Sequence, residues 1–391
     1  MRAMTTVDLI WFNAGGGHRA AAQALEQVML AQGRPWRVRK VNLSEVLDPA
    51  SRFRRLTGIE PEDLYNKRLA SGFTLGLPQE LKLLQGLIRF SHAGLVQRLA
   101  RHWRETQPDL VVSLVPNFNR ALHDGLALAR PTVPFVTVLT DMADQPPSFW
   151  IEPGTAQHVV CGTAHAAAQA LAAGCDPDLV HRTSGMILRP EFYFAPPIDR
   201  HAERLKAGMD GATPTGLVLF GGTGSRVMKR IALRLPETPL ILMCGRNEAL
   251  AAELRALPPV GAPRVVVGYT PDVAHWMRLA DFFIGKPGPG SLSEAVQQGL
   301  PVIVTRNAWT MPQERWNTEW VTQHGLGVVR RSFRQVRAAV DELTGRLPEF
   351  QVRVQAMDNR AVFEVPAILA RILAGQAAPH PARQVEPASS V

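Results

Sequence analysis

Cysteine is scarce and long apolar runs are missing. Only Cys161, Cys175 and Cys244 occur among 391 residues. Their odd number and wide spacing exclude a disulfide framework and a cysteine-rich zinc site, and point to a reducing cytoplasm. No apolar run approaches the roughly 18 residues that a membrane-crossing helix needs. The first one, "VDLIWF", is too short for the apolar part of a signal peptide. Acidic residues are outnumbered, 34 against 43 Lys and Arg, which leaves a net charge of +9. Much of the excess lies in residues 34–104, where 14 basic residues face 6 acidic ones. Such a stretch suits an anionic membrane surface or nucleic acid. Zinc-finger, RNP and basic-zipper patterns are all lacking, which turns the expectation to the membrane and away from nucleic acid. The protein is expected to be cytoplasmic, peripheral on the inner face of the cell membrane.

What is present is an alternation. Solid apolar runs such as "VDLIWF", "DLVVSLV", "PFVTVL", "GLVLFG", "LILMCG", "DFFIGK" and "PVIVT" alternate with alanine- and leucine-rich helical segments. Unbroken apolar strands between helices predict parallel sheets covered on both faces. The series runs twice, separated by a proline- and alanine-rich stretch near residues 190–214 that reads as the interdomain linker. The fold class is therefore α/β, with two Rossmann-like doubly wound domains facing a cleft. Residues 1–195 form the first domain and 196–355 the second. Residues 356–375 form a C-terminal helix able to return to the first domain, and 376–391 a disordered tail. One segment breaks the pattern. Residues 64–103 mix Leu, Ile and Phe with Lys and Arg at near-helical spacing. They fit either an amphipathic helix pair packed on the sheet or an interfacial membrane binder.

Three glycine turns follow strands. "NAGGGHRAAA" holds Gly15, Gly16, Gly17 and His18. It is no Walker loop, because no Gly-Lys-Ser/Thr follows, and Ala20 spoils a dinucleotide fingerprint. Its bland reading is close packing of strand on helix. Its functional one is an imidazole at an anion-friendly helix start, able to act as a base. "LFGGTGS" offers Gly222, Thr223 and Gly224 for close backbone approach. "KPGPGSLSEA" places Gly290, Ser291 and Glu294 at a helix start. Ser291 and Glu294 read either as a capping box or as a carboxylate for two ribose hydroxyls. "MPQERWN" adds Gln313, Glu314 and Asn317, which can read sugar hydroxyls.

These motifs, with "VTVLTDM", "MCGRN" and the "FW" after "DQPPS", resemble glycosyltransferase family 28, of the two-domain fold called GT-B. The monogalactosyldiacylglycerol synthase branch is the nearest likeness, over residues 7–330. The resemblance implies a UDP-sugar held by the second domain. Tyr269 and Thr270 would lie by the uracil, with Arg246 near the same nucleotide. Glu294 would bind the ribose, Gly222, Thr223 and Gly224 the diphosphate, with Gly290 and Ser291 beside it, and Gln313 and Glu314 the sugar. It implies an acceptor in the first domain near Gly16, Gly17, His18 and Trp150, with His18 and Asp141 as candidate bases, alone or as a dyad. No cofactor or metal is implied, since such folds usually need no bound metal. Arg52, Arg54 and Arg55 would meet the membrane. The expected reaction is inverting transfer of galactose or glucose from a UDP-sugar to a lipid, foremost 1,2-diacylglycerol. The alternatives are N-acetylglucosamine transfer to a lipid-linked peptidoglycan precursor, a UDP-sugar epimerase of the same fold, and a non-catalytic membrane-binding homologue.

Overall fold

The structure, a computed structural model, describes residues 4–12, 16–48, 77–194, 196–259 and 261–375. Arg52, Arg54 and Arg55, the first glycine of the opening turn, and the tail 376–391 lie outside the described residues.

Two parallel six-stranded sheets carry the fold. The first comprises β1 (Thr5–Trp11), β2 (Trp36–Asn42), β3 (Leu110–Ser113), β4 (Phe135–Val138), β5 (His158–Cys161) and β6 (Val180–Arg182), in the order β2-β1-β3-β4-β5-β6. The second comprises β7 (Gly216–Leu219), β8 (Leu240–Met243), β9 (Arg264–Val267), β10 (Phe282–Gly285), β11 (Val302–Thr305) and β12 (Gly327–Arg330), in the order β12-β11-β10-β7-β8-β9. Strands β3, β4, β7, β8, β10 and β11 are buried along their whole length, as their apolar runs require.

Strand order reverses between β1 and β3 in one sheet and between β7 and β10 in the other. At such switch points the connections diverge and leave a crevice beyond the carboxyl ends of the strands. The opening glycine turn and the 220–225 and 286–291 turns all lie at these four strand ends.

Helices cover both faces. Helix Gly17–Ala31 packs Ala21, Leu25, Val28 and Met29 on the first sheet, in one apolar cluster with Val362, Val365, Ile368, Leu369 and Ile372. Those five residues recur at helical spacing on helix Ala361–Leu373, so the chain ends by crossing back onto the first domain. The Ser184 N–H and hydroxyl tie Glu364 there at 2.7 and 3.1 Å. Replacing Leu369 by Ala would remove about 2–5 kcal/mol of packing.

The 190–214 stretch is more than a spacer. It holds helix Arg200–Lys206, whose buried Arg204 binds Asp281 Oδ2 at 2.5 Å and the Leu279 carbonyl at 2.7 Å. Residues 77–106 form two helices that differ in burial. In helix His92–Thr106, Leu99, Ala100 and Trp103 are buried against helix Asn119–Ala129. Gly125 permits that approach, since a Cβ there would stand 2.8 Å from Leu99 Cβ. In helix Leu77–Phe90, Leu83, Leu87 and Phe90 are 66%, 56% and 90% exposed, at the i, i+4, i+7 spacing of one face.

Candidate active site

The domains meet beyond the carboxyl ends of their strands. His165 of the first domain stacks on Trp316 of the second, ring centres 4.4 Å apart and 8° from parallel. Met142 and Ala143, just beyond β4, share an apolar cluster with Met243, Leu292 and Trp316.

On the first-domain side, Gly16 caps helix Gly17–Ala31 with φ +81°, a left-handed conformation that favours glycine. No protein atom lies within 4 Å of a Cβ built at Gly16 or Gly17. Close packing of strand on helix is therefore not what these glycines serve. His18 follows, half-buried, with Nδ1 3.1 Å from Thr140 Oγ1. Burial pushes its imidazole down to about 4, against the opposing pull of a hydrogen bond to the Leu114 backbone. It is neutral at pH 7 and able to accept a proton.

Asp141 is buried, and its Oδ2 accepts from Trp150 Nε1 at 3.0 Å. Burial and the charge of Glu314 raise its carboxyl to about 7; the Trp150 hydrogen bond and Lys286 oppose this. Glu314 and Lys286 belong to the other domain, so a first-domain carboxylate is tuned by second-domain charges. Among the described residues, His18 and Asp141 do not form a dyad: the imidazole faces Thr140 and the carboxylate faces Trp150. Trp150 is itself fully buried. Asp144 draws the 144–150 loop inward by accepting the N–H groups of Ser148, Phe149 and Trp150 at 3.1, 3.0 and 2.6 Å. The indole thus stands behind the site and holds Asp141; it has no free face for an acceptor.

On the second-domain side, the 221–224 turn rests on the turn after β8. The Arg246 N–H donates to the Gly222 carbonyl at 2.9 Å, and Asn247 Nδ2 to the Thr223 carbonyl at 3.1 Å. Gly222 and Thr223 are exposed, and nothing lies within 4 Å of a Cβ built at Gly222. Helix Val227–Arg234 begins just beyond, so the turn sits at a positive helix end. Arg246 lies over the ring of the exposed Tyr269 at 4.7 Å. Thr270 Oγ1 accepts the Asp272 N–H at 3.1 Å, fixing the same loop.

After β10, helix Pro289–Gln297 starts at Gly288, with no side-chain cap. Ser291 is therefore inside the helix and the capping box does not form. Gly290 is exposed and Glu294 half-buried. Burial raises the Glu294 carboxyl to about 7; Arg189 opposes this and Glu191 adds to it.

Beyond β11, Gln313 and Glu314 are buried. Glu314 Oε1 takes Lys286 Nζ at 2.7 Å. Asn317 Nδ2 donates to the Pro287 carbonyl at 2.7 Å. Gln313 Oε1 and Asn317 Oδ1 are buried without a partner. Orphaned buried acceptors are costly in a finished core and suit a ligand's hydroxyl donors.

Lys286, Thr140 and Arg189 escape a motif reading. The first is visible in sequence only as a lysine at a strand end in "GKPGPG"; the second adjoins Asp141; the third stands at the edge of the stretch read as linker.

No family model matches the chain. Among curated proteins, a probable monogalactosyldiacylglycerol synthase 2 of Oryza sativa subsp. indica is 27% identical, over 93% of this chain and 80% of its own. Monogalactosyldiacylglycerol synthase 3 of Arabidopsis thaliana is 27% identical, over 84% and 71%. The chain is a relative of the monogalactosyldiacylglycerol synthases. Its fold is GT-B. Acinetobacter baumannii MurG superposes with a TM-score of 0.56 at 15% identity, over 94% of this chain and 99% of that one. Spinosyn rhamnosyltransferase SpnG, complexed with thymidine diphosphate, gives 0.61 at 13%, over 95% and 100%. A UDP-GlcNAc 2-epimerase from Neisseria meningitidis, bound to UDP-GlcNAc, gives 0.57 at 12%, over 95% and 100%. At these identities the structures establish the shared architecture alone.

Proposed function

We propose that this relative of the monogalactosyldiacylglycerol synthases is an inverting hexosyltransferase. It moves galactose or glucose from a UDP-sugar to 1,2-diacylglycerol at an anionic membrane surface. The observation that carries the reading is the approach across the cleft of Asp141, next to the Thr140 that binds His18, to the Lys286–Glu314 pair, next to Gln313 with its unpartnered Oε1. One side offers a neutral base, the other buried acceptors for a sugar.

The UDP-sugar lies on the second domain. Tyr269 and Thr270 take the uracil and Arg246 braces that wall. Glu294 accepts the ribose hydroxyls, Gly290 and Ser291 flank it, and Gly222, Thr223 and Gly224 meet the diphosphate. Gln313 and Glu314 read the hexose. The acceptor hydroxyl enters past Gly16 and Gly17 beside His18. Its oxygen attacks the anomeric carbon as the bond to the diphosphate oxygen breaks. The proton passes to His18, and UDP leaves with the bonding pair. Charge developing on UDP is met by the 222–224 turn and the helix end behind it. The reading needs no cofactor or resident metal, so chelator should leave the rate unchanged.

Among the described residues no helix is long and apolar enough to cross a membrane. Docking is assigned instead to the Leu83, Leu87 and Phe90 face, with exposed Arg89, Arg98, Arg101 and Arg104 nearby and Arg52, Arg54 and Arg55 in the same basic stretch. This apolar face favours a lipid acceptor over an epimerase, which needs no surface. Nucleic acid has no place in the reading.

The test combines purified protein, diacylglycerol vesicles and a panel of radiolabelled UDP-sugars, with products separated by solvent extraction. Label from UDP-galactose or UDP-glucose should enter the organic phase only when diacylglycerol is present. Label that stays aqueous with every sugar would refute the reading.

A further inference from the structure

The exposed apolar helix is wired to the candidate catalytic carboxylate. Gln85, on the partly buried side of helix Leu77–Phe90, donates from Nε2 to Asn117 Oδ1 at 3.1 Å. Asn117 lies just beyond β3, at the switch point, with φ +66°. That left-handed conformation is uncommon outside glycine but tolerated by asparagine. The Asn117 N–H donates to the Phe149 carbonyl at 2.6 Å. The next residue, Trp150, donates from Nε1 to Asp141 Oδ2 at 3.0 Å. Asn119 reinforces the same loop, its Nδ2 donating to the Trp150 carbonyl at 2.9 Å while its Oδ1 accepts the Ser113 hydroxyl at 2.6 Å.

Three hydrogen bonds and one peptide step therefore join the helix that exposes Leu83, Leu87 and Phe90 to Asp141. We propose that Gln85 and Asn117 are positioning residues that couple seating of this helix on a lipid surface to the placement of Asp141, so that transfer is faster at a surface than to a dispersed acceptor. The proposal rests on the lipid-acceptor reading above. The contact joins two stretches 32 residues apart in sequence. It is a polar contact on the face of the helix opposite Leu83, Leu87 and Phe90, placed where the helix touches the acceptor-side loop. A shift of the helix on docking would pass through it to the 117–119 loop and on to Trp150.

The experiment compares kcat/KM for diacylglycerol in phosphatidylglycerol-containing vesicles with kcat/KM for a monomeric short-chain diacylglycerol, using the full chain. Wild type should show a higher vesicle rate. Gln85→Leu, which keeps side-chain bulk but removes the donor, should lower the vesicle-to-monomer ratio about fivefold, the worth of one ordinary hydrogen bond. Vesicle binding by flotation should be unchanged and the monomer rate near wild type. Asn117→Gly keeps the left-handed backbone, removes the acceptor, and should lower the ratio alike. The double variant should be no worse than either single one. Should Gln85→Leu be unstable, Asn117→Gly carries the comparison alone. A ratio equal to wild type in folded variants overturns the coupling and leaves the lipid-acceptor reading standing. A wild type that labels diacylglycerol in neither form overturns that reading and the coupling with it.

Discussion

Lys286 Nζ lies 2.7 Å from Glu314 Oε1, and both charges act on Asp141 in the other domain. Glu314 is almost fully buried, while Lys286 keeps 38% of its side chain exposed. Water screens part of the pair, yet the buried carboxylate is paired with this cation. Lys286→Met should cost about 1–3 kcal/mol in urea denaturation, below the value for a fully buried pair. It should also raise the donor KM, while Lys286→Arg recovers most of both. Unchanged stability and KM in the Met variant would show that Glu314 is held by other groups.

Glu294 has two testable consequences. Glu294→Ala should weaken UDP binding by about 1.5–3 kcal/mol, because ribose hydroxyls lose a charged acceptor. Burial has raised this carboxyl to about 7, and the hydroxyls prefer its ionised form. UDP affinity should therefore rise as pH increases through 7, with a steeper rise than in Glu294→Gln. Calorimetry at pH 6 and pH 8 on both proteins decides; identical pH dependence would remove Glu294 from the ribose site.

Motifs mark strand ends more readily than they mark partnerships across the fold. All seven apolar runs quoted from the sequence become strands, but β6, "VHR", has one apolar residue in three and gives no periodic signal. Glu294 and Gln313 are legible as candidates because they follow the apolar runs of β10 and β11 closely in sequence. Lys286 is not, since its partner lies 28 residues away and the pair exists only once β10 and β11 are neighbours. Trp150 was misread as an acceptor contact because sequence does not reveal how Asp144 folds the 144–150 loop inward. Periodicity does not separate the membrane and core readings of residues 64–103: among the described ones, helix His92–Thr106 buries its apolar face while helix Leu77–Phe90 exposes Leu83, Leu87 and Phe90.

The base can be assigned by pH. Burial pushes His18 down to about 4 and Asp141 up to about 7, and kcat/KM reports the free enzyme. With His18 as base, Asp141→Asn should keep an acid limb near pH 4, and His18→Ala should lose about 10²–10⁴-fold in single turnover. An acid limb near 7 that vanishes in Asp141→Asn, with His18→Ala close to wild type, would transfer the role to Asp141.

The docking face predicts a loss without a donor defect. Phe90→Asp replaces a 90% exposed ring, so fold stability should hardly change. Partition onto anionic vesicles should weaken by about 1.5–3 kcal/mol, the value of burying one such side chain. Reversing Arg52, Arg54 and Arg55 should weaken it by roughly 1 kcal/mol per lost charge and more per reversal. UDP binding should survive in both. Equal flotation of variant and wild type would move the membrane contact elsewhere.

The central claim is inverting transfer from a UDP-hexose to diacylglycerol, and proton NMR of the reaction in diacylglycerol vesicles tests it most directly. The α-anomeric signal of the UDP-sugar should fall as a β-glycoside signal appears in the extracted lipid, with one UDP released per glycolipid formed. Loss of the UDP-sugar signal to an epimerised nucleotide sugar or to free hexose, with no lipid glycoside, would contradict the account.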